Sequence, residues 1–125
     1  MRGHQICVSR GLTTLPKDDL LGFLEFQILA AALHLGPKEA YGMKIRMLIQ
    51  ETTGRGVLIG TIYSTLERLK QKRYVETHMG EATPERGGRA KEFIKVTIPG
   101  QAAFNYSCRV QTSMLELGGA AGSYA

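Results

Sequence analysis

Gly60-Thr61-Ile62-Tyr63-Ser64-Thr65-Leu66-Glu67-Arg68-Leu69 and, further on, Arg86-Gly87-Gly88-Arg89-Ala90-Lys91 are the two stretches that decide the fold. In the first stretch Ile62, Leu66 and Leu69 are spaced four then three, so a helix buries them as one stripe. Thr61, Ser64, Thr65, Arg68 and Lys72 recur at threes and fours on the other side. The second stretch sets cations around a glycine pair. It joins two segments of alternating polarity, 74–79 and 91–97, so it reads as the tip of a β-hairpin. A helix suited to the DNA major groove, followed by a cationic hairpin suited to the backbone, is the plan of a winged helix-turn-helix.

Upstream, Leu20, Leu21, Leu24, Ile28, Leu29, Ala32 and Leu33 predict a first helix. It should start near residues 17–19, capped by Asp18 or Asp19, and stop at Gly36-Pro37. A second helix is expected over 40–51, with Tyr41, Ile45, Leu48 and Ile49 inward and Lys44 and Arg46 on flanks that see solvent. Residues 52–56 read as a turn, and the third helix runs over 59–72. Pro99-Gly100 opens a last helix over 101–117. There Ala103, Ser107, Val110, Met114 and Leu117 step by four, three, four, three, the spacing of an a/d seam, with Phe104, Cys108 and Leu115 on its shoulder. The fold class is therefore mainly α with a small β-hairpin: a winged helix-turn-helix plus a C-terminal dimerisation helix. The expected divisions are a flexible N-terminal arm (1–16), a winged-helix DNA-binding domain (17–98), a dimerisation helix (99–117) and a flexible tail (118–125).

At 125 residues the chain is one domain, and 43% hydrophobic content supports a modest core. A net charge of +5 favours polyanionic partners. Cys7 and Cys108 lack zinc-like or redox-like spacing and read as reduced thiols, with a bond between arm and last helix as the alternative. The apolar-rich stretch 20–35 contains Glu25, Gln27 and His34 and is too short and too polar to cross a membrane. Arg2 and Arg10 precede no apolar run before Pro16, so no signal peptide is read and a cytoplasmic location is expected. His4, His34 and His78 are scattered, no nucleophile arrangement is recognisable, and Gly54-Arg55-Gly56 lacks the spacing and lysine of a phosphate-binding loop. No metal cluster is visible. Neither enzymatic activity nor a cofactor is expected.

The candidate DNA-binding residues follow from these placements. Thr61, Ser64 and Thr65 are short enough to approach bases or phosphates, and Arg68 suits a phosphate or a guanine. Tyr63 can donate its hydroxyl to a phosphate or pack as a core-edge aromatic. Tyr41 stands at a helix start, where N–H groups favour a phosphate, but reads first as a core residue. Arg86, Arg89, Lys91 and Lys95 supply wing cations against Glu85 and Glu92. Alone, the helix could be an ordinary solvated amphipathic face and the wing a solvated basic turn; their order and spacing favour the joint reading.

At these residues the chain resembles the PadR family of bacterial transcriptional regulators. The resemblance rests on AYGMKI (40–45), GTIYSTLERL (60–69), KQKRYV (70–75) and TPERGGRAKEFIKVT (83–97). It implies a winged-helix fold, a C-terminal dimerisation helix and repression by operator binding, and the single short last helix is similar to the smaller subgroup. It would set Thr61, Tyr63 and Ser64 at the DNA-facing part of the third helix, Arg89 and Lys91 on the wing, and Lys44 near phosphates. Two positions depart from the pattern. Leu58 stands where relatives often carry a capping serine, and Arg73 stands where they usually have glycine, so positive φ there would add strain. Some members bind aromatic or drug-like ligands between the dimer's helices, often against a tryptophan; this chain has none, leaving Phe104 and Tyr106 and an open question about an aromatic effector. The expected partners are double-stranded DNA, read at a palindromic operator by a homodimeric repressor, and no membrane. The alternatives are a winged-helix protein-interaction module with an acidic partner, or a ligand-sensing dimer with weak DNA binding.

Overall fold

The computed structural model describes residues 20–80 and 91–121. Its element order is α1 (Phe23–Leu35), α2 (Gly42–Thr53), α3 (Ile59–Gln71), β1 (Val75–Met79), β2 (Glu92–Val96) and α4 (Ile98–Ala121). This is the mainly helical winged-helix architecture, with one two-stranded antiparallel hairpin.

The first helix starts later than its apolar repeat suggests. Residues 20–22 are not helical, and Asp18 and Asp19 lie outside the described residues. Two bonds fix this start. Glu25 Oε1 accepts the Gly22 N–H at 2.9 Å, the reciprocal half of a capping box. The Leu21 N–H is taken by Ser107 Oγ of α4 at 3.0 Å. Gly36, at φ 83, ends α1.

The second helix begins at Gly42 rather than residue 40 because the chain before it pairs with the wing. Ile94 N–H donates to Ala40 O at 2.8 Å and Tyr41 bridges Phe93, so residues 40–41 stay extended as a third, rudimentary strand. At its far end the helix takes in Thr52 and Thr53, expected in the turn. Thr53 Oγ1 donates to Ile49 O at 2.8 Å, and Gly54 closes the helix in the left-handed region.

Helix α3 buries the expected stripe of Ile62, Leu66 and Leu69 and ends at Gln71, one residue short of the expected end. Leu58 is its N-cap and makes no side-chain cap bond. The exit is a Schellman motif: Tyr74 N–H reaches Leu69 O and Arg73 N–H reaches Lys70 O, both at 2.9 Å. The left-handed residue this motif needs is Arg73, at φ 66. The wing pairs Val75 with Val96 through Met79 with Glu92.

One core joins the elements. Ile28 and Leu29 of α1, Ile45 and Ile49 of α2, and Ile62, Leu66 and Leu69 of α3 are buried together with Val75, Ile94 and Ala103. Thr97 starts α4 as a two-way clasp, accepting the Gly100 N–H at 3.1 Å and donating to Arg73 O at 2.7 Å. The first half of α4 lies on its own domain, with Phe104 stacked on Phe26 at 4.8 Å. Ala103 and Ser107, expected in a seam against a second copy, are buried here within the protomer. The helix also runs past residue 117, through Gly118 and Gly119, to Ala121. No helix among the described residues is long and apolar enough to cross a membrane.

Candidate nucleic-acid interface

The outer face of α3 carries Gly60, Thr61, Ser64 and Arg68, all exposed. The Thr61 carbonyl accepts the hydroxyls of Ser64 at 3.2 Å and Thr65 at 2.8 Å. Thr65 does not share that face. It is 1% exposed, three residues from Ile62 on the margin of the apolar stripe, and its hydroxyl is satisfied inside its own helix. Lys72 also turns away. Its ammonium lies 3.1 Å from Glu25 Oε2, beneath the end of α3. Arg68 approaches the same carboxylate only at 3.8 Å and keeps a largely exposed side chain.

Tyr63 is 50% exposed and lies across the first turn of α2. A Cβ on Gly42 would stand 2.6 Å from Tyr63 Cε1 and 2.8 Å from its hydroxyl oxygen, so the absent side chain at 42 makes room for the phenol. Tyr41, next in the chain, is half-buried, meets Phe93 edge-on at 5.5 Å, and carries the Lys91 ammonium 4.8 Å above its ring centre. Lys44 pairs with Glu39 at 2.6 Å. This exposed bond holds the lysine above and the glutamate below their ordinary pKa values. Such a surface pair is readily exchanged for another anion. Arg86 and Arg89 lie outside the described residues, which omit 81–90. Contacts thus run from Tyr63 on α3, through Gly42 and Tyr41 at the head of α2, to Lys91 at the root of the wing.

Three features escaped the sequence. Glu25 is a buried carboxylate under this face. Burial pushes its pKa up, but the Gly22 N–H and the Lys72 and Arg68 charges outweigh that and hold it below the ordinary value. Arg46, expected on a solvent flank, donates from Nε to Val57 O at 2.6 Å and fastens the loop leading into α3. Gly42 stood in the sequence only as part of AYGMKI, with no role read for it. Of the seam residues, Val110 is half-buried while Met114 and Leu117 are 58% and 65% exposed. An open apolar cleft of about 350 Å³ lies between α1 and α2, with Phe26, Ala30 and Leu48 in its wall and Gln27, His34 and Thr52 beside them. Among the described residues no group of three His, Cys, Asp or Glu could hold a metal ion.

Residues 32–105, more than half of the chain, match the model of the transcriptional regulator PadR-like family. No curated protein matches the chain. Among solved structures, a transcriptional regulator from Clostridium thermocellum is similar at 18% identity and a TM-score of 0.61, covering 75% of this chain and 87% of that one. A PadR-like transcription factor from Bacteroides fragilis is 25% identical at a TM-score of 0.57, covering 82% and 89%. A PadR-like transcriptional regulator from Bacillus cereus is 18% identical at 0.59, covering 80% and 93%.

Proposed function

The chain belongs to the PadR-like family of transcriptional regulators, and from that premise we propose a sequence-specific repressor that binds a palindromic operator as a homodimer. The observation that carries this reading is the run of contacts from Tyr63 through Gly42 and Tyr41 to Lys91, which couples the outer face of α3 to the root of the wing. In this reading two α3 helices enter successive major grooves about 34 Å apart. The Thr61 and Ser64 hydroxyls approach base edges, and Arg68 takes a phosphate or a guanine. The Tyr63 hydroxyl and Lys44 hold phosphate at the head of α2, while Lys91, Arg86 and Arg89 do so along the wing. The exposed apolar residues of distal α4 support pairing with a second copy.

Binding of the full chain to DNA selected from a random pool, followed by fluorescence anisotropy at several salt concentrations, tests the proposal. Affinity should fall steeply with salt, and Lys91→Ala or Arg89→Ala should each reduce the logarithmic salt slope by about one while weakening selected and random DNA alike. A chain with no competition-resistant complex at moderate salt would instead favour an acidic protein partner. A second reading, an aromatic effector, is supported by the cleft between α1 and α2. A rise in melting temperature with a panel of aromatic acids and dyes would support it.

A further inference from the structure

We infer that Leu58 is a base-reading residue: its side chain takes the C5-methyl group of one thymine in each operator half-site. The inference rests on the DNA-binding reading above and goes beyond it by naming a base and the group recognised.

Leu58 is 76% exposed at the head of α3. Its neighbours Val57 and Ile59 are half-buried and pack against the core. Between them Leu58 has an extended backbone, at φ −65 and ψ 140, so its side chain points away from the side its neighbours bury. Hydrogen bonds hold the backbone on both sides of it. The Leu58 carbonyl accepts the N–H groups of Thr61 at 3.0 Å and Ile62 at 3.2 Å, and Arg46 holds the preceding carbonyl. A serine, threonine or aspartate here would cap the helix; the chain instead places an isobutyl group at the N-cap and leaves the cap unmade. The start of α3 thus presents an aliphatic side chain, a glycine with open space where a Cβ would be, and two exposed hydroxyls, on Thr61 and Ser64.

The floor of the major groove offers donors and acceptors from every base pair but only one apolar group, the thymine methyl. An aliphatic side chain set against adenine or guanine edges would strip their water and return no hydrogen bond. Set against a thymine methyl, it buries apolar surface on both sides. The N-terminal residues of a recognition helix are the ones that reach base edges. Leu58 is therefore suited to one base, and its neighbours Thr61 and Ser64 to the polar edges beside it.

The test uses the full chain and a palindromic site selected by it from random DNA. Each thymine is replaced in turn by deoxyuridine, which removes the methyl group and nothing else. Wild type should lose about fourfold in affinity per half-site at one symmetric position, the effect of one buried methyl-sized group. Leu58→Ser, which restores a cap, should melt no lower than wild type and be indifferent to that replacement while still binding; Leu58→Ala should show a reduced response. Wild type indifferent to every replacement, or Leu58→Ser as sensitive as wild type, would overturn the inference and leave the DNA-binding reading intact. A chain that forms no complex with any DNA sinks both.

Discussion

On α3 Gly60 sets local stability against function, and at its exit Arg73 carries backbone strain. Gly60 sits in the first turn of α3, and beyond its own stretch of helix nothing lies within 4 Å of where a Cβ would stand. Gly60→Ala should therefore raise stability by roughly 0.5–1 kcal/mol through helix propensity. If the backbone here approaches the groove, the same methyl should weaken DNA binding. Urea melts and anisotropy on one preparation check both signs, and tighter binding would show that DNA does not come near Gly60. Arg73, at φ 66, holds a conformation that disfavours side chains by roughly 1–2 kcal/mol. Arg73→Gly returns that strain but adds unfolded-state freedom, so a net gain of about 0.5 kcal/mol in the same melts is expected. The strain at 73 was legible because the motif and its usual glycine are both local. The burial of Thr65 was not. Its polarity placed it outside, whereas a hydroxyl bonded to the carbonyl four residues earlier is polar in composition and satisfied in the interior.

Between elements, the decisive contact is Glu25 of α1 with Lys72 and Arg68 at the end of α3. Because the folded-state pKa of Glu25 lies below its ordinary value, its contribution is fully present above about pH 5 and is lost as pH falls through that lowered value. Glu25→Gln should cost about 1–2 kcal/mol at pH 7, the scale of charge-assisted bonds. It should also flatten the part of the stability profile below pH 5 that this carboxylate causes. Paired melts from pH 3 to 7 isolate it, since Glu39, also lowered, is present in both proteins. A constant difference between the two at every pH would remove Glu25 as the titrating clamp. The helices themselves were readable because Ile28, Leu29, Ile45, Ile62 and Leu69 recur at helical spacing and all are buried. The clamp and the helix starts were not. Glu25 finds Lys72 47 positions away, and Leu21 finds Ser107 86 positions away. Such partners set where α1 begins and leave no mark on the periodicity around it.

At the scale of the whole molecule, α4 divides into two halves with different surroundings. Periodicity alone joined Ala103, Ser107, Val110, Met114 and Leu117 into one seam, since a stripe at threes and fours does not say which body covers it. The structure covers the first part with its own domain: Ser107 is 1% exposed and holds the Leu21 N–H. Residues 111–119 are exposed throughout, with Met114, Leu115 and Leu117 among them. If the second half is the dimer contact, the two halves should separate under mutation. Met114→Lys with Leu117→Lys should leave the melting temperature of the monomer unchanged, shift sedimentation from dimer to monomer, and lower affinity for a two-half-site operator by about a hundredfold or more through lost avidity. Ser107→Ala should do the reverse, reducing stability by about 1–3 kcal/mol through the orphaned Leu21 N–H while leaving the sedimentation coefficient alone. A double lysine variant that still sediments as a dimer would move the interface off distal α4. The apolar cleft between α1 and α2 would then be the next surface to substitute, and the spacing of the two α3 helices on DNA would need a different two-fold axis.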